Sequence, residues 1–306
     1  MKILFNLHSV GLGNNGGSQN IIRCADILTD IGHDVVLYSN GRNRCTWKKI
    51  EKAEYVCSKY IPDSDVIIAT GYHSVPSTLS AKCSKKFYYV RGFELWQASE
   101  KDLLASYKTM PCLVNSEWLQ WYMITRGISA ELVYLGLDFS LFYKENIKRK
   151  ITLGGLYHTK HKTKNHDEIL KIAEKVGCDV SLLNRDIVTP DPIELRFWYN
   201  TIKIWVAAST LEGLHNPPME AALCGCSLLC SNAPRGGTSD YGTNNETATI
   251  YPQGDISYAS EKVLEILETP EKQTILNNTL IQVLNNKIGS KKYNMEKLSR
   301  FLEGIL

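Results

Sequence analysis

Long apolar runs, an excess of one charge, a disulfide framework and one particular carboxylate are missing from this 306-residue chain. No stretch approaches the roughly 18 unbroken apolar residues of a membrane-spanning helix, so none is expected. Met1-Lys2 runs straight into the strand-like ILFNL, so no signal peptide is expected either. The net charge of +3 is too mild to argue for nucleic acid by itself, though it suits a weak pull toward nucleotides or anionic lipid. Nine cysteines, an odd number, lie scattered, which points to a reducing compartment and a cytoplasmic protein. Only Cys224, Cys226 and Cys230 cluster, and no histidine pair stands near them at zinc spacing. They read as small buried thiols in a helix-to-strand turn rather than as a metal site.

The missing carboxylate bears on HSVGLGNNGGSQN, residues 8–20, which contains Gly11-x-Gly13-x-x-Gly16, the spacing of a dinucleotide-binding turn. Such a turn leads from strand end directly into helix, and an acidic residue closing the second strand holds the ribose. Here His8-Ser9-Val10 intervenes, the loop runs on to Gly17, and the second strand ends in Ser39-Asn40-Gly41. NAD is therefore not the expected ligand. What remains is a loop beside a helix N-terminus with Ser18 as its expected cap. It is either a site for an anion or a mobile turn without ligand.

What is present is an alternation of short apolar runs and helical patterns. A composition of 43% hydrophobic and 22% charged residues is that of a globular protein, and the length suits two domains. Strands are expected at 2–7, 34–39, 65–70, 86–90, 112–115 and 130–134, with the clearest helix at 18–32. A polar, lysine-rich link, SLFYKENIKRK at 140–150, breaks the rhythm, which restarts with ITLGGL at 151–156. Strands at 179–184 and 203–209 and helices near 164–176 and 192–200 follow. This predicts two Rossmann-like doubly wound α/β domains facing a cleft, residues 1–145 and 146–290, with a helix at 291–306 docking back on the first. Ligands of such sheets bind at the carboxyl ends of the strands.

The most informative stretch is STLEGLHNPPMEAALCGCSLLCSNA at 209–233. Glu212 follows a strand, Pro217 and Pro218 suit the start of a helix, Glu220 falls in its expected first turn, and Gly225 ends it. Both carboxylates sit at the sheet edge where a ligand belongs. The helix start offers free N–H groups to a phosphate, and Glu220 offers its carboxylate to ribose hydroxyls. On the alternative reading Glu220 serves the helix dipole and Glu212 is a solvated loop residue.

Glu212-Gly213-x-x-x-Pro217-x-x-Glu220-Ala221, followed by Cys224-Gly225-Cys226, resembles the signature of nucleotide-sugar glycosyltransferases of GT-B fold. The closest likeness is to the large retaining group, family four, with two glutamates separated by seven residues. GGSQN with the following helix and strand (16–39), LVNSEWL (113–119) and VYLGLDFSLFY (133–143) resemble other segments of that family, so the likeness spans most of the chain. The resemblance implies that Glu220 holds the donor ribose and Glu212 contacts the transferred sugar. Gly16, Gly17, Leu214, His215 and Asn216 line the donor, with the N–H groups of Leu214 and His215 near the diphosphate. His215 stands where the family has glycine, and is either a specificity residue or an acid/base group. Gly155 stands where an arginine is expected. Lys164 best matches the family's lysine, and Lys160 or Lys162 is the expected substitute for the arginine, all three otherwise forming a solvated basic turn.

In the N-terminal half, His73 lies just past a strand end and is expected either to contact the transferred sugar or to be structural. Arg91 and Glu94 are expected on the acceptor side. Asp63-x-Asp65 opens a buried strand and is not read as a metal site. The resemblance implies a metal-independent enzyme without cofactor, using a UDP- or GDP-linked sugar as co-substrate. No carboxylate is an obvious covalent nucleophile, and the resemblance implies that the leaving phosphate accepts the acceptor's proton while Glu212, His73 and Lys164 position and stabilise. The expected acceptor is a saccharide, a lipid-linked saccharide or another hydroxyl, with transient docking at the inner membrane face. Nucleic acid is a lesser alternative. An epimerase on the same scaffold and a non-catalytic glycan- or nucleic-acid-binding module are the rival functions.

Overall fold

A computed structural model describes residues 1–13, 15–41, 45–184, 187 and 190–304. Among these the chain forms two units, Met1–Gly136 with Ser290–Leu306, and Leu137–Gly289.

The first unit opens with β1 (Lys2–Asn6), α1 (Gly16–Asp30), β2 (Asp34–Ser39), β3 (Glu54–Cys57) and β4 (Val66–Ala69). It continues through α2 (Val75–Ser80), β5 (Lys85–Val90), α3 (Glu100–Tyr107), β6 (Cys112–Val114), α4 (Glu117–Ile124) and β7 (Ala130–Leu132). The second contains β8 (Ile151–Tyr157), α5 (His166–Val176), β9 (Val180–Asn184), α6 (Pro192–Thr201), β10 (Ile202–Ala207) and α7 (Asn216–Leu223). Then come β11 (Ser227–Ser231), β12 (Thr249–Tyr251), α8 (Ile256–Glu268) and α9 (Pro270–Val283), before α10 (Lys291–Gly304) returns to the first unit.

Both sheets are parallel. The seven-stranded sheet of the first unit runs β3-β2-β1-β4-β5-β6-β7, and the five-stranded sheet of the second runs β12-β11-β10-β8-β9. Parallel strands need crossover helices, so both faces of their sheets are covered and their residues read as continuous apolar runs. Along β1, Ile3 and Phe5 face a core shared with Ile21, Ile22 and Leu28 of α1 and Met295, Leu298 and Leu302 of α10. Leu4, between them, points to the opposite face with Val36, Tyr38 and Ile67, as strand alternation requires. His33 ties α10 down through Nε2, 2.7 Å from Ser299 Oγ. In the second unit Leu153, Ile204, Val206 and Leu229 pack under Ile169, Ile172, Val263 and Ile266 of α5 and α8.

Each sheet has one place where successive strands leave in opposite directions. In the first unit it lies between β1 and β4, in the second between β8 and β10. The loops at such a switch point diverge and leave a crevice at the strand carboxyl ends.

Three expectations change. The helix expected from Ser18 starts at Gly16, because Asn15 caps it, its Oδ1 accepting the Ser18 N–H at 2.9 Å. The edge strand β3 is half-exposed and carries no alternation that marked it in advance. The lysine-rich stretch at 140–150 belongs to the second unit: Asn200 Oδ1 accepts the Glu145 N–H at 2.7 Å, and Arg149 donates to the carbonyls of Ile202 and Cys224. Those carbonyls end a helix and start a strand, and a single guanidinium satisfies both. Asp65 accepts the backbone N–H of Lys2 at 2.6 Å, a strand-boundary role.

Gly136, at φ +74°, lies against the start of α10: a Cβ there would be 2.5 Å from the Ser290 carbonyl carbon. Gly177, at φ +71°, ends α5 with open space around it. Urea unfolding should therefore separate backbone strain from collision. Gly177→Ala is expected to lose about 1 kcal/mol, and Gly136→Ala about 3 kcal/mol; equal losses would contradict the close approach.

Candidate functional site

The switch point of the second unit gathers the charged groups. The loop after β8 carries Lys160, Lys162 and Lys164, the last two in a short 3-10 turn. The loop after β10 carries Glu212 and leads into α7. The Thr210 N–H donates to the Thr163 carbonyl at 2.8 Å, so the two loops are joined by backbone. That joint sets Lys164 Nζ 2.5 Å from Glu212 Oε1, with the side chains 23% and 15% exposed. Lys160 and Lys162 remain exposed. The structure thus selects one lysine of the three for the carboxylate.

Burial foremost acts to raise the Glu212 pKa, but Lys164 and then His215 beside it, with a further hydrogen bond from Ser209, outweigh it and hold the carboxyl below its usual range. His215 is 3% exposed, and its Nε2 lies 3.7 Å from Glu212 Oε1. Burial foremost, and Lys164 behind it, push its pKa down to about 4 against the pull of Glu212. At neutral pH the imidazole is therefore neutral, and Lys164 supplies the positive charge that Glu212 meets.

The loop from Glu212 to His215 is fastened from the segment after β11. The Glu212 N–H donates to the Arg235 carbonyl at 2.8 Å, the His215 N–H to the Gly237 carbonyl at 3.0 Å, and Tyr241 Oη to the His215 carbonyl at 2.8 Å. Gly237, at φ +74°, fits under the loop because a Cβ there would stand 2.7 Å from Glu212 Cβ. The His215 N–H is consequently spent within the chain, contrary to the expectation that it faces a diphosphate. α7 follows with Pro217 and Pro218 at its second and third positions. Neither has an N–H, so Asn216 is the only residue of the three to offer one.

Glu220 falls one turn later than expected, as the fifth residue of α7. Tyr199 Oη, on α6, donates to its Oε2 at 3.2 Å. Tyr199 itself is buried against Trp205 and Phe142. Leu214 is buried. Gly155 faces the core: a Cβ would lie 2.5 Å from Ile169 Cδ1 and 3.3 Å from Leu182 Cδ2. An arginine at 155 would have no room and no path to the site, which explains the glycine. Cys224, Cys226 and Cys230 are buried thiols at the α7–β11 turn and its strand, and burial raises the pKa of Cys226 and Cys230 to about 12. They are protonated packing residues.

At the switch point of the first unit, His73 is exposed in the turn after β4, its ring edge-on to Tyr72. Gly16 and Gly17 open α1. Arg91 reaches across: Nη1 donates to the Gly17 carbonyl at 2.5 Å and Nη2 to the Thr70 carbonyl at 2.9 Å. It braces the loops on either side of the switch point rather than presenting its fork to solvent. Glu94 is buried, and Tyr88 Oη donates to its carboxylate; burial foremost raises its pKa, against that bond and Arg91. The structure therefore gives both expected acceptor-side residues internal partners. A groove of about 490 Å³ in this unit, lined among others by His8, Tyr38, Lys59, Tyr60 and Lys82, had no signature in the sequence.

No family model and no curated protein matches the sequence. Solved structures do match the fold. The chain is similar to sucrose-phosphate synthase from Thermosynechococcus elongatus, TM-score 0.76 at 13% identity, over 100% of this chain and 99% of that one. It is similar to Anabaena HepE in complex with UDP and glucose, TM-score 0.78 at 12% identity, over 99% and 100%. A glycosyltransferase from Rickettsia africae ESF-5 gives 0.73 at 12%, over 99% and 98%. The chain thus has the fold of GT-B glycosyltransferase structures, two parallel-sheet α/β units.

An unfolded histidine takes its proton near pH 6.5, whereas folded His215 resists protonation to about 4. Its contribution to stability is complete above 6.5 and is lost as pH falls toward 4, a window corresponding to about 3 kcal/mol. Urea unfolding of the wild type should weaken more steeply between pH 7 and 4 than that of His215→Gln. Parallel pH dependences would contradict the neutral buried ring.

Proposed function

We propose that the chain transfers a sugar from a nucleotide diphosphate donor to an acceptor hydroxyl with retention at the anomeric carbon, as in the family-four group. The observation that carries this reading is the meeting of Lys164 and Glu212 at the switch point of the second sheet, with Glu220 one helix turn into α7. A cation, a partly buried ionised carboxylate and a second carboxylate at the carboxyl ends of parallel strands suit the three parts of a nucleotide sugar. Lys164 takes the diphosphate, whose charge grows as the sugar leaves. Glu212 accepts hydrogen bonds from the transferred sugar, and Glu220, oriented by Tyr199, accepts them from the ribose. No covalent nucleophile is needed: the departing phosphate oxygen takes the acceptor's proton on the same face, so the reaction requires neither a second active carboxylate nor a metal. The acceptor, a saccharide or lipid-linked saccharide, is assigned to the first unit, in which His73 is exposed in the turn after β4. UDP is the preferred donor nucleotide, since HepE was solved with UDP and glucose and pneumococcal GtfA with UDP and GlcNAc. Nine free thiols suit work in the cytoplasm, at or near the inner membrane face.

Thermal unfolding with UDP-, GDP- and ADP-linked sugars tests the reading. One nucleotide class at a hundredfold its Kd is expected to raise Tm by about 5 °C, and Glu220→Ala to lose that rise. Equal rises in both proteins would remove Glu220 from the ribose, and no rise with any donor would overturn the transferase reading.

A further inference from the structure

The proposed reaction leaves one group of the second unit without a task. The His215 side chain is 4% exposed, and among the described residues neither Nδ1 nor Nε2 has a hydrogen-bond partner. Buried polar atoms nearly always have one. The backbone of the residue is held at both its N–H and its carbonyl, by Gly237 and Tyr241. One acceptor stands close: Glu212 Oε1 is 3.7 Å from Nε2, just beyond hydrogen-bond reach. That same oxygen is held at 2.5 Å by Lys164.

A single carboxylate oxygen thus lies between two partners, and Lys164 occupies it. Lys164 is the more exposed member of its pair and shares its loop with the exposed Lys160 and Lys162, so an incoming anion meets this side of the site first. A diphosphate competes well for an ammonium. When Lys164 turns to it, Glu212, whose side chain is only 15% exposed, would be left uncompensated, an unfavourable state.

We propose that His215 is the reserve partner of Glu212: as a diphosphate draws Lys164 away, the imidazole takes one proton from solvent, and Nε2–H closes on Glu212 Oε1. The proposal rests on reading the site as one for a nucleotide diphosphate. Before binding, the trio holds one cation, one anion and a neutral ring. Afterwards the ammonium is on the phosphate, and a carboxylate–imidazolium pair stays behind. Among the described residues the charged groups facing the ring are these same two: Glu212 favours its proton and Lys164 opposes it, so withdrawal of Lys164 removes that opposition. His215 acts through Glu212 and is a positioning residue, keeping that carboxylate ionised and in place for the sugar.

Calorimetry of UDP binding at pH 6.5, in two buffers of different ionisation enthalpy, counts the protons taken up. The wild type should take up about one-half to one proton more per UDP than His215→Gln; protons exchanged by UDP itself cancel in the difference. Wild-type affinity should also fall more steeply with rising pH, by up to about tenfold per unit. Equal proton counts with UDP bound to both proteins would overturn the inference alone. No binding of UDP to the wild type would overturn the nucleotide reading and the inference with it. Lys164→Gln gives an independent measure by NMR titration of the His215 ring without ligand. The ring should titrate higher than in the wild type, and an unchanged titration would overturn the proposal.

Discussion

A parallel sheet covered on both faces has only its strand ends left for chemistry, and that constraint arranges everything else in this chain. The faces are consumed by crossover helices, whose apolar stripes make the cores of both units. At the carboxyl ends the loops diverge only where the strand order reverses, between β1 and β4 and between β8 and β10. Lys164 and Glu212 leave from the two strands that flank the second of these points. Their meeting is therefore a consequence of strand order, made rigid by the Thr210–Thr163 backbone bond.

Strand order explains where the charges are, and burial explains what they do. An ionised carboxylate at 15% exposure needs a partner, and Lys164 supplies it. The same burial keeps His215 neutral, so of the two ionisable neighbours of Lys164 one carries its charge and the other does not. The loop bearing them is fixed by carbonyls at Arg235 and Gly237 and by the Tyr241 phenol, none of which contributes charge. Position is thus set by neutral backbone bonds and electrostatics by three side chains. This separation lets a ligand redistribute charge within the trio while the loop stays in place.

The first unit uses its switch point differently. Arg91 spends two of its N–H groups on the carbonyls of Gly17 and Thr70, which fastens the start of α1 to the end of β4. A glycine at 17 makes that approach feasible, since a Cβ would stand 3.0 Å from Nη1. His73 is left exposed three residues beyond the braced Thr70. The cation of this unit is structural, and the cation of the other is paired with an acid at a sheet edge.

The sequence by itself determined the local elements. Strands buried on both faces announce themselves as β-branched runs, Gly225 at φ +85° stops α7 where a glycine was expected to, and Glu212 and Glu220 sit at a spacing that survives any detail of folding. The two-unit parallel architecture was legible for the same reason, since alternating strand and helix admits few other arrangements. Only the tertiary structure decided partners. It chose Lys164 over Lys160 and Lys162, committed the His215 N–H to Gly237, gave Glu220 its Tyr199 and turned Arg91 and Glu94 inward. It also turned position 155 to the core, and paired the half-exposed β3 with β2. Periodicity and capping act over a few residues and are written along the chain. Which lysine meets a carboxylate 48 residues away is a matter of distance across a crevice, and that distance exists only once the strands have taken their order.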